Sequence, residues 1–267
     1  MKLHRLAAVV LRQFYLVRGS FARVLPLFAW VAVDMVLWGF LTRYLNTVAS
    51  PGFDFTARLL GAVLLWDFFI RVMQGVTMAF FEDVWSRNLL NFFTTPLSIW
   101  EYAGGLVAST MAISSVGLAV MLLLATFVFG LSFLAYGTLL IPFLLVLFLF
   151  GISLGLLAAA MVLRLGPASE WFVWPLPALV APFAGVFYPI STLPAWMRLI
   201  SRGLPPSYVF ESMRAIASGG GASGKGLLLG SCLAALYALS GCWVLALTYR
   251  HAVRTGLLAR YSAESVS

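Results

Sequence analysis

The chain has 267 residues, of which 62% are apolar and 10% charged, and its mean hydropathy is +1.00. A soluble domain carries roughly 25% charged residues, so this composition excludes an ordinary soluble protein. Several apolar runs reach the roughly 20 residues that a helix needs to cross a bilayer. The sequence therefore predicts an all-α integral membrane protein with several spans.

Residues 1–19 have the pattern of an amphipathic helix. Arg12 interrupts the apolar run and no small-residue cleavage site follows, which argues against a signal peptide. We expect this helix to lie in the membrane surface, or alternatively to pack on a partner in the cytosol. The apolar residues follow the i, i+3, i+4, i+7 spacing of one helical face: Leu3, Leu6, Ala7, Val10, Leu11, Phe14 and Val17.

Six spans are predicted after this helix. In the fifth, Pro175, Pro177 and Pro182 remove backbone hydrogen bonds, which predicts a kinked or loosened helix. In the fourth, Gly151 and Gly155 form a small-x-x-x-small face that permits close helix packing. The six spans comprise residues 23–44, 59–81, 103–129, 137–163, 171–188 and 226–249.

The distribution of basic residues predicts the orientation. Ten Lys and Arg residues lie in the segments on the same side of the membrane as the N-terminus, and six lie in the segments on the opposite side. By the positive-inside rule both termini are cytoplasmic, with residues 250–267 forming a tail. The net charge of +8 is then explained by topology and anionic headgroups, and no nucleic-acid partner is required.

The long inner loop, residues 82–102, is amphipathic and aromatic. We expect Thr94 and Thr95 to end a short helix, because the residue before a proline is pushed out of the helical region. Pro96 is expected at the first position of the next helix. Such an element either docks in a groove of another protein or lies on the headgroups, and spacing alone does not decide between them.

The long outer loop, residues 189–225, predicts two short helices. Thr192 is expected to cap the first, entered through Pro194 and ending at Gly203, and Ser207 to cap the second, which runs to Ser218. Glu211 and Arg214 form an i, i+3 pair on the second helix. The apolar faces of both helices suggest that the loop dips back into the outer leaflet.

The outer loop ends in "SGGGASGKG", residues 218–226, which resembles a phosphate-binding P-loop. A true P-loop follows a strand and uses Ser or Thr to hold magnesium, whereas this stretch follows a helical segment and has Gly226 at that position. We therefore expect a flexible link rather than a nucleotide site.

Three charged residues fall inside predicted spans: Asp34, Asp67 and Arg71. Asp34 and Arg71 are predicted at similar depth, and Asp67 precedes Arg71 by the favourable four residues of a helix. Charges at this depth are expensive and normally paired. They form either a structural network between spans one and two or part of a functional site.

The chain offers no predicted catalytic or metal site. His4 and His251 are isolated at opposite ends of the sequence, and a metal ion needs several convergent ligands. No Ser, His and Asp arrangement is recognised either. We expect no catalytic residue, metal or cofactor in this chain.

Two segments give the whole chain its resemblance to ABC-2 type permeases, the membrane subunits of type V ABC transporters. One is "SRNLLNFFTTPLSIWEYAGG", which is similar to the coupling region of that family. The other is "FYPISTLPAWMRLISRGLPPSYVFESMRAI", which is similar to its external re-entrant helices. The order of an interfacial helix, six spans and unequal loops agrees with the family along nearly all of residues 1–267, taken as a single transmembrane domain.

The resemblance implies partners and roles that spacing does not. It implies a homodimer or a paired sister permease, joined to two copies of a separate ATPase subunit that holds ATP and Mg²⁺, in a bacterial inner membrane. Export of an amphipathic, lipid-linked or drug-like substrate is the expected function. An external gate is implied at Pro189, Pro194, Glu211 and Arg214. Coupling to the ATPase is implied at Asp83, Arg87, Phe92, Phe93, Thr95, Pro96 and Leu97.

Two other classes of function remain as alternatives. A secondary transporter would use protons through Asp34 and Asp67, but the six spans show no evident internal repeat of the kind such transporters carry. A membrane scaffold or assembly protein would not need a charged network between spans one and two.

Overall fold

The computed structural model describes residues 2–48, 55, 59–131 and 133–257. These residues form helices, turns and loops, with no strand among them. Short 3₁₀ helices occur at Phe133–Leu139, Pro167–Phe172 and Ile190–Thr192. The α-helices of the described residues are α1 Leu3–Arg18, α2 Phe21–Val48, α3 Gly61–Trp85, α4 Leu89–Thr94, α5 Ile99–Phe129, α6 Leu140–Leu165, α7 Leu176–Ala184, α8 Ala195–Arg202, α9 Pro205–Ala217 and α10 Gly224–Thr255.

Five helices of the described residues are long and apolar enough to cross a membrane. They correspond to the predicted spans one to four and six, so an all-helical, multi-pass membrane protein is confirmed. The predicted tail at 250–267 begins within α10, and its residues 258–267 lie outside the described residues. The candidate spans are Phe28–Val48, Gly61–Trp85, Ile99–Phe129, Tyr136–Leu165 and Gly224–Thr255.

The segment predicted as the fifth span is not one continuous helix. Residues 171–188 comprise the end of the 3₁₀ helix Pro167–Phe172, a turn, the nine-residue α7 and the bend that follows it. Pro175 and Pro177 stand where α7 begins, and Gly185 ends it in the left-handed region, with φ at 69°. Prolines are tolerated at the start of a helix but cannot continue one from upstream. The predicted loosening of this span is therefore a full break.

The centre of the bundle is α6, which packs between α3 and α10. A Cβ at Gly155 would lie 2.9 Å from the carbonyl oxygen of Met73 on α3, and one at Gly241 of α10 would lie 3.0 Å from the carbonyl oxygen of Ser153 on α6. Ser153 also donates a hydrogen bond of 2.8 Å to the carbonyl oxygen of Tyr237. The predicted small-residue face of α6 is confirmed, because glycine lets the backbones of α3 and α6 meet.

The amphipathic helix α1 extends over most of residues 1–19, as predicted. Its apolar face is exposed, with Leu3, Leu11 and Phe14 all more than half accessible. The opposite face packs on α5, where Val9 lies against Gly105. The helix thus packs on the bundle through Val9 and Gln13 and leaves Leu3, Leu11 and Phe14 exposed, an arrangement that suits a helix at a membrane surface.

Candidate functional site

The carboxylate of Asp83, at the end of α3, joins three helices. Its side chain is fully buried; Oδ1 accepts a hydrogen bond from Arg12 Nη2 of α1 at 2.5 Å. Oδ2 accepts one from the Tyr102 hydroxyl of α5 at 2.6 Å. A buried charge needs such partners, because an unpaired one loses its hydration without compensation. Asp83 therefore links α1, α3 and α5 from inside the protein.

The short helix α4 is held to the same cluster by an aromatic side chain. The guanidinium carbon of Arg12 lies 4.8 Å from the ring centroid of Phe92, a cation–π geometry. The Phe92 ring also contacts the ring of Tyr102, with centroids 5.8 Å apart. We call Arg12, Asp83, Phe92 and Tyr102 the Asp83 junction; through it α4 is attached to the three helices around it.

A second set of contacts, centred on Glu101, ties α1 to the start of α5. Ser98 and Glu101 form a reciprocal capping box, with the Glu101 N–H donating to Ser98 Oγ at 3.2 Å and the Ser98 N–H donating to Glu101 Oε2 at 3.0 Å. Glu101 also accepts from the Lys2 backbone N–H at 2.6 Å and pairs with Arg5 at 3.6 Å. Arg5 donates in addition to the carbonyl oxygen of Pro96.

These contacts correct the predicted start of the helix after the inner loop. The helix begins at Ile99 and not at Pro96, because Ser98 caps it in an extended conformation. Thr95, also extended, ends α4 as expected. The spacing Ser98-x-x-Glu101 is a capping-box pattern. It indicates a helix that begins after Ser98, and the prediction based on Pro96 did not take it into account.

The residues predicted to couple to the ATPase separate into two groups. Asp83 is fully buried, and Phe92 and Leu97 are half-buried against the core, so these three hold the loop in place. Arg87, Thr95 and Pro96 are exposed. The backbone of Phe93 lies in α4, and its side chain is outside the described residues. Sequence reasoning missed Arg5, Arg12, Glu101 and Tyr102, whose roles depend on contacts between distant segments.

Arg87 has an unusual backbone conformation. Its φ of 58° makes it the one non-glycine residue of the described chain with positive φ. The Arg87 N–H donates to the carbonyl oxygen of Val84, and the Asn88 N–H to that of Asp83, each at 3.0 Å. This is the Schellman arrangement, whose left-handed position is usually glycine. Arginine there costs of order 1 kcal/mol, and its side chain is exposed.

One hydrogen bond connects α3 with the segment before α7. The indole N–H of Trp85 donates to Glu170 Oε2 at 3.0 Å. Glu170 lies in the 3₁₀ helix Pro167–Phe172, which leads through a turn into α7. The end of α3 next to the Asp83 junction is therefore bonded to the broken segment.

The charged residues inside the spans form the expected pair. Arg71 Nε donates to Asp67 Oδ2 at 2.8 Å, and both side chains are about 15% exposed. The Arg71 stem lies against α5, where a Cβ at Gly117 would be 3.6 Å from Arg71 Cδ. Asp34, half-buried on α2, has Asp67 and Arg71 as its electrostatic neighbours. Asp67 and Arg71 are thus directly paired, and Asp34 interacts with both of them electrostatically.

Beside these charges lies a groove of about 620 Å³ between α3 and the α7 segment. We call it the aromatic groove. Its polar lining side chains are Gln74 and Tyr188, and the Tyr188 hydroxyl is used in a hydrogen bond to the carbonyl oxygen of Pro182 at 2.9 Å. It is lined by Trp66, Ile70, Gln74, Trp174, Pro177, Ala178, Ala181, Pro182, Phe187 and Tyr188.

The predicted pair Glu211–Arg214 is present on α9, with Arg214 Nη2 donating to Glu211 Oε1 at 2.9 Å. The same Oε1 accepts from the Ile190 backbone N–H at 2.8 Å. The pair therefore braces the turn that follows α7, next to Pro189. Pro194 precedes α8 as its N-cap residue, and both prolines are exposed.

Two predicted caps in this loop are wrong. The Thr192 hydroxyl donates to the carbonyl oxygen of Pro189 at 2.7 Å, and α8 begins at Ala195 without a side-chain cap. The hydroxyl of Ser207, which lies inside α9, donates to the carbonyl oxygen of Ser201 at 2.7 Å. Helix α9 instead begins with Pro205 and Pro206, which have no N–H to be capped.

The glycine-rich stretch at 218–226 joins α9 to α10. Gly219, with φ at 81°, ends α9, and the Gly220 N–H donates to the carbonyl oxygen of Ala215 at 2.8 Å. Ser223 caps α10 by accepting from the Gly226 N–H at 3.2 Å. The stretch is a helix stop followed by a helix start.

This fold and these sites define a multi-pass helical membrane protein with a loop held by buried charges at one end of its bundle. The family model for ABC-2 type transporters matches residues 6–217, and the chain belongs to this family. It is the permease component of an ABC transporter, a class that generally pairs with an ABC ATPase subunit using ATP and Mg²⁺. Comparison with curated proteins gives no match. Within the described residues, no three His, Cys, Asp or Glu side chains form a group that would hold a metal ion.

Proposed function

We propose that the chain is the permease of an ATP-driven exporter and that the partner ATPase docks on the exposed rim of residues 82–102, which we call the α4 loop. Arg87, Thr95 and Pro96 form this rim, and Phe93, whose backbone lies in α4, is proposed to contact the ATPase as well. The observation that carries the proposal is Arg87, a strained and exposed residue on a loop that is otherwise held by buried bonds. Backbone strain of this kind tends to persist at functional positions.

The Asp83 junction supports a role in transmitting force. Because the Asp83 junction attaches α4 to α1, α3 and α5, a displacement of α4 by the ATPase would move these helices together. The Trp85–Glu170 hydrogen bond extends the connection to the segment before α7. Closure of two ATPase subunits against two permeases would in this way move both α3 and the segment that leads into α7, which form the two walls of the aromatic groove.

Six crossings fit the charge distribution better than five. Five crossings would place the two termini on opposite sides, and Arg250 and Arg254 would then lie outside, against the positive-inside rule. Laid end to end, the 3₁₀ helix Pro167–Phe172 and α7 would extend about 25 Å, and the turn between them would add a few more. The broken segment is thus long enough for the roughly 30 Å hydrocarbon core. Both termini are then cytoplasmic, in a bacterial inner membrane.

Helices α8 and α9 are proposed to re-enter the membrane from outside and to form an external gate. The Phe210 ring of α9 contacts Trp66, with centroids 6.1 Å apart, and Trp66 is about 7 Å along α3 from its first residue. This contact supports a position of α9 below the outer surface. Glu211 and Arg214, with Pro189 and Pro194 in the adjoining turns, would hold the gate closed over the groove.

Reconstitution with the candidate ATPase tests the function. The permease, as a homodimer or with a sister permease, is purified with two ATPase copies, and ATP hydrolysis is measured with and without it. We expect Arg87→Gln, Phe93→Asp and Pro96→Gly to reduce co-purification and permease-dependent hydrolysis. Arg18→Gln, an exposed arginine on α1, is the matched control. The proposal fails if the ATPase neither co-purifies nor responds to these changes.

The same preparation separates the alternatives. A secondary transporter would move substrate with a proton gradient and no ATPase, and a scaffold would move none. Export is tested by loading vesicles and following release on the side opposite the ATPase.

A further inference from the structure

The aromatic groove has the size and lining of a small-molecule site. Its volume of about 620 Å³ is within the roughly 300–1,000 Å³ of ligand pockets. Four aromatic side chains line it, Trp66, Trp174, Phe187 and Tyr188, and Gln74 adds a side-chain amide. Aromatic walls with one amide hold a flat or bulky apolar body and orient it by few polar contacts.

The intramembrane charges border this groove on the α3 side. Trp66 and Ile70 line the groove, and Asp67 and Arg71 are the residues that follow them on the same helix. Successive residues on a helix are turned by about 100°, so Asp67 and Arg71 lie on the flank of α3 next to the lining face.

Helix α2 brings Asp34 to the same border. Trp38 stacks on the groove residue Phe187, with ring centroids 5.5 Å apart and planes at 16°. Asp34 lies one turn from Trp38, on the same face of α2. It also lies about 20 Å from the first residue of α2, and Arg71 lies about 20 Å from the last residue of α3. The two helices run in opposite directions, so these residues share one depth.

Among the residues that the structure describes, the border therefore carries two carboxylates and one guanidinium. Arg71 donates a hydrogen bond to Asp67 at 2.8 Å and Asp34 adds a second carboxylate, so acidic groups outnumber basic ones here among the described residues. Negative charge at membrane depth is costly unless it is matched. A positively charged ligand would match it, and aromatic faces attract the same charge through their quadrupoles.

We propose that the aromatic groove binds amphipathic organic cations, with the cationic centre near Asp34 and the apolar body between Trp66 and Trp174. This inference rests on the proposed transport function and specifies its substrate class. Phospholipid or a second copy of the chain would also cover an apolar groove. Neither, however, accounts for a negative border beside aromatic rings, because a zwitterionic headgroup stays at the surface and a second copy would bring the same negative charge.

Binding is tested with two ions of one shape and opposite charge, tetraphenylphosphonium and tetraphenylborate. The full chain is placed in phosphatidylcholine nanodiscs without ATPase or ATP, and equilibrium dialysis is corrected with empty nanodiscs. We expect saturable binding of the phosphonium, near one per chain, and none of the borate. Asp34→Asn should weaken phosphonium binding about tenfold, while Asp34→Glu should retain it.

Further variants separate binding from folding. Trp174→Ala should weaken phosphonium binding about fivefold, while Trp243→Ala, on the exposed face of α10, should leave it unchanged. Gln74→Glu should strengthen it, a gain that a purely structural role of these residues would not produce. The size and helical content of each sample are checked by gel filtration and circular dichroism.

The outcomes are decisive in either direction. Equal saturable binding of both ions, no saturable binding, or an unchanged affinity in Asp34→Asn would overturn the cation site. A dimer that binds no phosphonium would assign the groove to the second copy and would also overturn it. The binding assay contains no ATPase, so its result is independent of the reconstitution assay. A protein that stimulates the ATPase after reconstitution but binds no phosphonium rejects this inference alone. Intact binding without ATPase association rejects the proposed function alone.

Discussion

Replacing Asp83 with asparagine should destabilise the end of the bundle where α1, α3, α4 and α5 meet. The change keeps the shape of the side chain and removes its charge, which is fully buried between Arg12 and Tyr102. Breaking a buried ion pair by changing one partner costs about 3–5 kcal/mol. The Arg12 side chain is 27% exposed, so water partly screens it, and we expect about 2–3 kcal/mol for Asp83→Asn.

A double-mutant cycle measures the coupling directly. Arg12→Gln, Asp83→Asn and the double variant are unfolded in mixed micelles and followed by circular dichroism, with Arg18→Gln as the control on the same helix. We expect the two changes to be non-additive by about 1.5–2 kcal/mol, because each removes the same bond. Tyr102→Phe should cost about 1.5 kcal/mol, since Arg12 still neutralises the carboxylate. Additive effects, or a loss below about 0.5 kcal/mol for Asp83→Asn, would refute the view that this buried bond joins the helices.

Three further variants test other parts of the structure. Arg87→Gly should stabilise the protein by about 1 kcal/mol in the same unfolding assay, because glycine accepts positive φ, and should weaken ATPase binding; a loss of stability would contradict the assigned turn. Gly155→Ala should lower the free energy of unfolding by about 1–3 kcal/mol, since its Cβ would lie 2.8 Å from Val76 Cβ. Gly221→Ala, in open space, is the control and should change it little. Equal effects of the two changes would argue against the close α3–α6 contact. Ser98→Ala should cost about 1 kcal/mol through the lost cap, and no change in thermal stability would show that the capping box is dispensable.

Much of the fold follows from local patterns in the chain. Long apolar runs have one low-energy solution in lipid, the hydrogen-bonded helix, so five of the predicted spans recur as helices. The i, i+4 pair Asp67–Arg71 and the small-residue face at Gly151 and Gly155 follow from the helical repeat. The prolines indicated a break in the fifth span. They did not indicate its extent, because the chain on either side of a proline can adopt several backbone conformations.

The contacts of the α4 loop were harder to predict from the sequence. The residues around Thr95 and Pro96 were recognised as a corner, yet Asp83 was expected on a docking surface and is buried. Its partners Arg12 and Tyr102 lie 71 and 19 residues away in the chain, and no periodic pattern relates them. Only the Ser98–Glu101 capping box could have been found from spacing.

The sequence by itself determined that this is a polytopic helical membrane protein, and its motifs indicated the ABC-2 type family, because hydropathy and short-range spacing act within single segments. The tertiary structure alone decided that Arg12, Asp83 and Tyr102 form one buried junction, and that Asp34 interacts electrostatically with Asp67 and Arg71 beside an aromatic groove. Such arrangements depend on how separate helices pack, and packing is set by the fit of whole surfaces rather than by any one stretch of chain.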